Sequence, residues 1–188
     1  MKSGDFLSTF CSMKFRHLSV LLLVGAVPLF GCKKSATAQP KPAASEISTN
    51  GYLLHAQSKL PTIQVWLGDQ QLTAEIASTS VEIYTGMMFR TNILENEAML
   101  FVFPDAEKRS FYMRNCVIPL SGAYITPGGA IDQIIQMKPH DETGILSDSD
   151  DIQFVLEVKQ GWFARHHIGV GTVVRTERGS LLYTFFHR

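Results

Sequence analysis

The sequence predicts a mainly β fold, a small β-sandwich or partly open barrel with one or two short helices. Short runs in which apolar and polar residues alternate recur through residues 60–188, as half-buried strands require. A continuous apolar run over residues 98–103 is typical of a strand that is buried on both faces. The helical segments are few and do not alternate with the strands, so a parallel α/β sheet is not expected.

The first predicted elements are a hairpin and a helix. Residues 63–67 and 72–76 alternate around a Gly-Asp turn, which indicates two paired strands. A threonine and a glutamate three residues apart, Thr79 and Glu82, have the spacing of a capping box, so we expect a helix over 80–88. One face of this helix would carry Val81, Tyr84, Met87 and Met88.

The rest of the domain is predicted as short strands joined by loops. A charged loop at 105–109 follows the apolar run. Further strands are expected at 111–113, 123–125, 131–137 and 154–158, and a terminal hairpin from 173–174 and 181–186. A long polar loop is expected over 138–150, and one helical turn over 161–168.

The N-terminal segment has the pattern of a lipoprotein signal. A short basic region precedes an apolar run over 18–30, which is short for a membrane span but typical of a signal-peptide core. The run closes with Leu29-Phe30-Gly31-Cys32, which resembles a lipobox. We therefore expect residues 1–31 to be a signal peptide and Cys32 to be the lipidated mature N-terminus; the alternative is an ordinary secretory signal. Met13 would be a more typical start than Met1.

The segment after Cys32 has the composition of a flexible tether. Residues 33–50 are rich in Ala, Ser, Thr, Lys and Pro and contain almost no large apolar residue. The predicted organisation is a lipidated cysteine and tether over 32–59 and a folded domain over 60–188. Because Lys33 rather than Asp follows the cysteine, the expected location is the periplasmic face of the outer membrane.

The charge balance argues against a nucleic-acid-binding protein. Without residues 1–31 the chain has 14 Lys and Arg against 16 Asp and Glu, a net charge of −2, and nucleic acid requires a basic face. Hydrophobic residues make up 45% of the chain, enough to bury a core. Cys116 is the only cysteine beyond the signal and Cys32, so no internal disulfide is expected.

An ordered series of motifs resembles the domain-of-unknown-function family 192. The motifs are Glu75-Ile76-Ala77, Gly86-Met87-Met88-Phe89-Arg90, Met99-Leu100-Phe101-Val102-Phe103, Phe111-Tyr112-Met113-Arg114-Asn115, Ile118-Pro119-Leu120, Val155-Leu156-Glu157-Val158, Gly161 and Gly169-Val170-Gly171. The resemblance implies a small mainly β fold, often exported or lipid-anchored, with no established activity. Cys116 stands where the family usually has Thr, and Ser121 where it usually has Asp, so a function that needs that Asp would be lost or altered here.

The candidate ligand-binding residues are Arg90, Tyr112, Arg114, Asn115 and Ser121. Arginine suits a carboxylate or phosphate, asparagine both donates and accepts, and an aromatic side chain supplies a wall, so a small anionic or polar ligand is expected. The structural alternative is that Arg90 pairs with Glu75 or Glu97.

No metal site, cofactor or catalytic set is expected. Cys116 has no evident base and is interpreted as a buried thiol, and the acidic loop after His140 lacks the spacing of a calcium loop.

The leading prediction is a lipid-anchored module that binds a small ligand or an envelope component. One alternative is an enzyme acting on envelope carbohydrate, which needs two carboxylates facing one space. The available carboxylates are Glu75, Glu97 and Glu157. A structural or assembly domain is the other alternative.

Overall fold

The computed structural model describes residues 46–187, and the predicted signal peptide, Cys32 and residues 33–45 lie outside them. The strands of this part are β1 (Thr62–Leu67), β2 (Gln70–Ala77), β3 (Glu97–Glu107), β4 (Ser110–Phe111), β5 (Leu120–Ile125), β6 (Ile131–Met137), β7 (Ile145–Leu146), β8 (Ile152–Lys159), β9 (Val174–Thr176) and β10 (Gly179–Ser180). Its helices are α1 (Ser80–Thr85), α2 (Trp162–Arg165) and α3 (Leu181–Phe186). None of these helices is long and apolar enough to span a membrane.

Eight of the strands form one sheet in the order β10-β9-β1-β2-β3-β8-β5-β6. Neighbouring strands are antiparallel except β2 and β3, which run parallel because α1 forms the crossover between them. The sheet is not closed into a barrel, although a bridge between Ala130 and Val173 joins the segments that precede β6 and β9. The predicted mainly β, partly open architecture is confirmed. Strands β4 and β7 form a separate two-stranded ribbon. Strand β4 overlaps the strand predicted at 111–113 only at Phe111, and β7 lies within the segment predicted as a long loop.

A hydrophobic core covers each face of the sheet. Strand β8 shows this directly, since Phe154 and Leu156 belong to a first cluster and Val155 belongs to a second cluster on the other face. Successive side chains of a strand point to opposite faces, so a strand in the middle of this sheet is buried on both faces and is apolar at most positions. Residues 98–103 of β3 are all buried, and the strand predicted there is confirmed; it continues to Glu107, into the segment predicted as a charged loop.

Helix α1 is shorter than predicted. The predicted capping box is present at its N-terminus. The helix ends at Gly86, whose φ of 46° lies in the left-handed region that glycine tolerates, rather than at residue 88. Met87 and Met88 are buried in the turns that follow, whereas the Tyr84 side chain is 56% exposed. The prediction that these residues share one helix face is therefore wrong for Met87 and Met88, which lie beyond the end of the helix.

Residues 181–186 form helix α3, not the second strand of the predicted terminal hairpin. The backbone N–H of Tyr183 donates to the Ser180 hydroxyl at 3.2 Å, which caps the helix. Leu181 is buried and Phe185, four residues later, packs against the same first cluster, a spacing that a helix places on one face. Strand β9 pairs instead with the two-residue β10.

The described part of the predicted tether, residues 46–59, contacts helix α1. The N–H of Leu53 donates to Thr85 Oγ1 at 2.9 Å, and Leu53 is buried. The buried Gln57 side chain donates to the carbonyl oxygens of Glu82 at 3.2 Å and Gly86 at 2.8 Å. These bonds satisfy carbonyls at the end of the helix. The folded domain therefore begins before Leu60, which is earlier than the boundary predicted from the sequence.

Candidate functional site

A cavity of about 460 Å³ lies beside helix α1, on the face of the sheet that carries the second cluster. The buried residues that form its inner wall are Thr85, Gly86, Met87, Met88, Phe101, Phe103, Cys116 and Glu157. The residues exposed at its mouth include Ser80, Tyr84, Pro104, Glu107, Lys108 and Ser110. Its volume falls within the range of cavities that bind small molecules, and its inner wall is mostly apolar.

Aromatic rings form one side of the cavity. The ring of Phe111 meets the ring of Phe101 edge to face, with centroids 5.0 Å apart, and that of Phe103 at 6.5 Å. Phe101 and Phe103 occupy alternate positions of β3 and so point to the same face. Pairing of β4 with β7 holds Phe111 opposite Ile145, and Tyr112 extends the aromatic side toward solvent. Edge-to-face rings are a favourable arrangement, so this wall is preformed.

One carboxyl group stands on the otherwise apolar inner wall. Glu157 lies in β8 between Met99 of β3 and Gly122 of β5, and its residue surface is 4% exposed. Within the described chain its Oε2 atom has no hydrogen-bond partner. Burial raises the pKa of Glu157 to about 8. An unpartnered buried carboxyl costs stability, which makes it a candidate functional group.

The titratable neighbours of Glu157 are a thiol and a phenol. Burial, with the Glu157 carboxyl as a lesser cause, raises the pKa of Cys116 to about 12. Burial also raises the pKa of Tyr124, and the Glu157 carboxyl contributes less to this rise. The Tyr124 hydroxyl donates to the carbonyl oxygen of Ile145. Both groups are therefore neutral at physiological pH. Cys116 is buried as predicted, and a thiol with a raised pKa is not an activated nucleophile.

The two arginines of the predicted site are engaged in ion pairs. Both terminal nitrogens of Arg90 donate to Glu75, at 2.8 Å each, and the two side chains are 14% and 13% exposed. Arg114 donates twice to Glu142, at 2.9 and 2.7 Å, and its guanidinium lies 5.3 Å from the centre of the Tyr112 ring. The structural alternative proposed for Arg90 is thus the arrangement observed.

The other predicted residues do not share one pocket. Asn115 has a positive φ of 55°, and its carbonyl oxygen accepts from Phe89 N–H at 2.8 Å. Ser121 is buried, where its hydroxyl donates to Gln136 Oε1 at 2.7 Å and accepts from Gly161 N–H at 2.8 Å. Of the five predicted ligand-binding residues, Tyr112 alone lines the cavity.

The three carboxylates considered for an enzyme do not face one space. Glu75 is paired with Arg90, and Glu97 lies 3.3 Å from Lys59, whereas Glu157 is buried in the sheet. These three carboxylates therefore give the paired-carboxylate mechanism no geometric basis. Within that range no group of three His, Cys, Asp or Glu side chains could hold a metal ion. Glu157 is not among the ligand-binding residues predicted from the sequence, although an acid inside the apolar run 154–158 is a visible signal.

Comparisons with known proteins agree with this fold. The crystal structure of a protein of unknown function from Novosphingobium aromaticivorans DSM 12444 has a TM-score of 0.61 and 30% identity, over 72% of this chain and 99% of that chain. The crystal structure of a candidate transcription regulator from Sinorhizobium meliloti 1021 also has a TM-score of 0.61, with 25% identity over 64% and 97% of the two chains. No curated protein matches this chain.

The family assignment rests on most of the sheet. Residues 63–176, from β1 to β9, match the model of the domain-of-unknown-function family 192, DUF192, which is described as "Uncharacterized ACR". The matched segment includes the aromatic wall of the cavity, Cys116 and Glu157. This match confirms the resemblance drawn from the sequence motifs, and the chain belongs to the domain-of-unknown-function family 192.

Proposed function

We propose that this domain binds a small, largely apolar ligand in the cavity beside α1. The observation that carries the proposal is a cavity of about 460 Å³ with buried aromatic and thioether walls and an unpartnered carboxyl on its inner wall. Small-molecule sites typically combine apolar walls with a few polar groups that orient the ligand. Glu157 is the polar group suited to that orienting role.

The proposed recognition surface differs from the one expected from sequence. Arg90 and Arg114 are each paired with a carboxylate, and neither lines the cavity, so neither contributes to the proposed site. Tyr112 belongs to both sites, since it lines the cavity and lies beside the Arg114 guanidinium. Ligand selection then depends on the aromatic wall and on Glu157 rather than on the arginines.

The proposed place of action follows from the N-terminal sequence. The apolar run over 18–30 and the Leu-Phe-Gly-Cys motif support export and lipidation at Cys32. A lipid-anchored domain would meet its ligand in the cell envelope, on the periplasmic face of the outer membrane. Radiolabelled palmitate incorporation into the wild-type chain, and its loss in Cys32→Ser, would test the anchor separately from ligand binding.

A matched pair of tryptophan variants tests the cavity itself. Ser80 and Ser78 are both exposed and two residues apart, but only Ser80 lines the cavity. The neutral fluorophore N-phenyl-1-naphthylamine is titrated into the full-length wild-type, Ser80→Trp and Ser78→Trp chains. We expect saturable binding that Ser80→Trp weakens at least tenfold and Ser78→Trp leaves unchanged. Equal binding by the two variants, or no saturable binding to the wild type, would overturn the proposal.

A further inference from the structure

We infer that the ligand of this cavity is an organic cation, an amine whose protonated nitrogen is held by the Glu157 carboxylate while its apolar body lies against the phenylalanine rings. The inference rests on the proposed binding function and specifies the chemical class of the ligand. It begins from the unpartnered Oε2 atom of Glu157, which lines the cavity and is buried. A carboxylate in such surroundings requires a donor, and a ligand ammonium group supplies one.

The inner wall offers an anion no cationic group. Besides Glu157, the polar side chains on this wall are those of Thr85 and Cys116. The Thr85 hydroxyl oxygen already accepts from the N–H of Leu53 at 2.9 Å, and the thiol of Cys116 is a weak donor. An anion placed here would therefore find no cationic partner, whereas an ammonium group would form an ion pair with the Glu157 carboxylate once that carboxyl has released its proton.

The aromatic wall favours the same charge. The rings of Phe101, Phe103 and Phe111 line the cavity beside the carboxyl-bearing wall. The face of an aromatic ring carries partial negative charge and attracts cations, and ammonium ligands are bound by such rings in many proteins. A carboxylate together with several rings distinguishes this cavity from one built only for a neutral apolar molecule.

The charged groups at the mouth leave this preference intact. Arg109 lies with its guanidinium 3.9 Å from the centre of the Phe103 ring and is paired with Asp105 and Glu107. The neighbouring Lys108 is exposed, so water screens its charge from the inner wall. The charge of Arg109 at the mouth is therefore compensated by its two acidic partners and that of Lys108 is screened by water, while the inner wall carries one acid.

Proton linkage gives the inference a measurable signature. Glu157, with its pKa raised to about 8, faces Cys116 and Tyr124, whose own pKa values are raised by burial so that both stay neutral below pH 8. Binding of an ammonium ion to Glu157 must release the proton that this carboxyl carries below pH 8. The affinity for an amine that stays protonated should therefore rise about tenfold per pH unit between pH 6 and 8.

The test compares two probes that differ in charge. 1-Naphthylmethylamine and 1-naphthalenemethanol have the same ring system, and each displaces the fluorophore N-phenyl-1-naphthylamine from the full chain at pH 6, 7 and 8. We expect the amine to bind at least tenfold more tightly than the alcohol at pH 8, with a rising affinity from pH 6. The alcohol should bind with the same affinity throughout. In Glu157→Gln the preference for the amine should disappear while the alcohol still binds.

The outcomes separate the two proposals. Binding of the alcohol with equal or weaker binding of the amine would overturn the cation inference and leave the cavity as a ligand site. A preference for the amine that survives in Glu157→Gln would also overturn the cation inference and leave the cavity as a ligand site. Failure of the fluorophore to bind the wild type would overturn both proposals. If Glu157→Gln does not fold, the pH dependence in the wild type decides, because a flat amine affinity between pH 6 and 8 contradicts a role for Glu157.

Discussion

Replacing Glu157 by glutamine should change how the stability of this protein depends on pH. Glu157 is 4% exposed in the centre of the sheet, and burial raises its pKa from the ordinary value of 4.5 to about 8. Glutamine has nearly the same shape and carries no charge at any pH. The substitution therefore removes one titration and leaves the packing around Met99 and Gly122 largely unchanged.

The sign and size of this pH dependence follow from the pKa of Glu157 in the unfolded chain, 4.5, and in the folded protein, about 8. Between pH 4.5 and 8 the unfolded chain has released the proton of this carboxyl, whereas the folded protein retains it. The contribution to stability is therefore complete below pH 4.5 and is lost as the pH rises through 8. One pKa unit corresponds to about 1.4 kcal/mol, so the full loss is about 5 kcal/mol and the slope about 1.4 kcal/mol per pH unit.

Urea unfolding of the full-length wild type and Glu157→Gln at pH 5.5, 6.5, 7.5 and 8.5 measures this slope. The difference in unfolding free energy should shift by about 3 kcal/mol in favour of glutamine from the lowest to the highest pH. The lowered pKa values of Glu95 and Glu97 act at more acidic pH and cancel in the difference. Asp150→Asn, at an exposed position, serves as a flat control. If the difference in unfolding free energy between the wild type and Glu157→Gln stays constant within about 0.5 kcal/mol from pH 5.5 to 8.5, Glu157 is not a buried, protonated group.

Two further predictions concern groups near the cavity. Arg90→Gln should destabilise the fold by about 3 kcal/mol in urea unfolding, because it leaves the mostly buried Glu75 carboxylate without its two-bond cationic partner. The matched Arg165→Gln breaks a pair whose side chains are 46% and 45% exposed, so it should cost much less stability than Arg90→Gln; equal losses would contradict the reasoning. Cys116, 5% exposed and with its pKa raised to about 12, should resist iodoacetamide in the folded chain at pH 8 and react in urea. Peptide mapping by mass spectrometry would show equal labelling in both states if this prediction is wrong.

Local patterns in the sequence were sufficient for much of the sheet. The hairpin of β1 and β2 was predictable because its alternation and turn are encoded within 16 residues, and the capping box because it spans only four. Helix α3 was not predictable in this way. The run from Leu181 to Phe186 is apolar at most positions, so it fits a strand as well as a helix, and contacts with the first cluster select the helix.

The candidate site depended on contacts that a linear pattern does not contain. An arginine such as Arg90 has the same local sequence whether it binds a ligand or pairs with Glu75, fifteen residues earlier in a neighbouring strand. Glu157 was visible as an acid in an apolar run, but its place on the cavity wall depends on β8 lying between β3 and β5. The tether boundary was missed for a similar reason, because Gln57 is polar and becomes buried only through its bonds to α1.

The position of β1 in the sheet constrains the time at which this protein can fold. Val65 of β1 pairs with Thr176 of β9, about 110 residues later in the chain, so one edge of the first hairpin stays uncovered until the C-terminal segment is present. Pairing between distant strands forms slowly, and an uncovered apolar edge can associate with other chains. A chain with this topology depends on its last strands to complete the sheet. The complete sheet therefore cannot form before residue 176 has been synthesised.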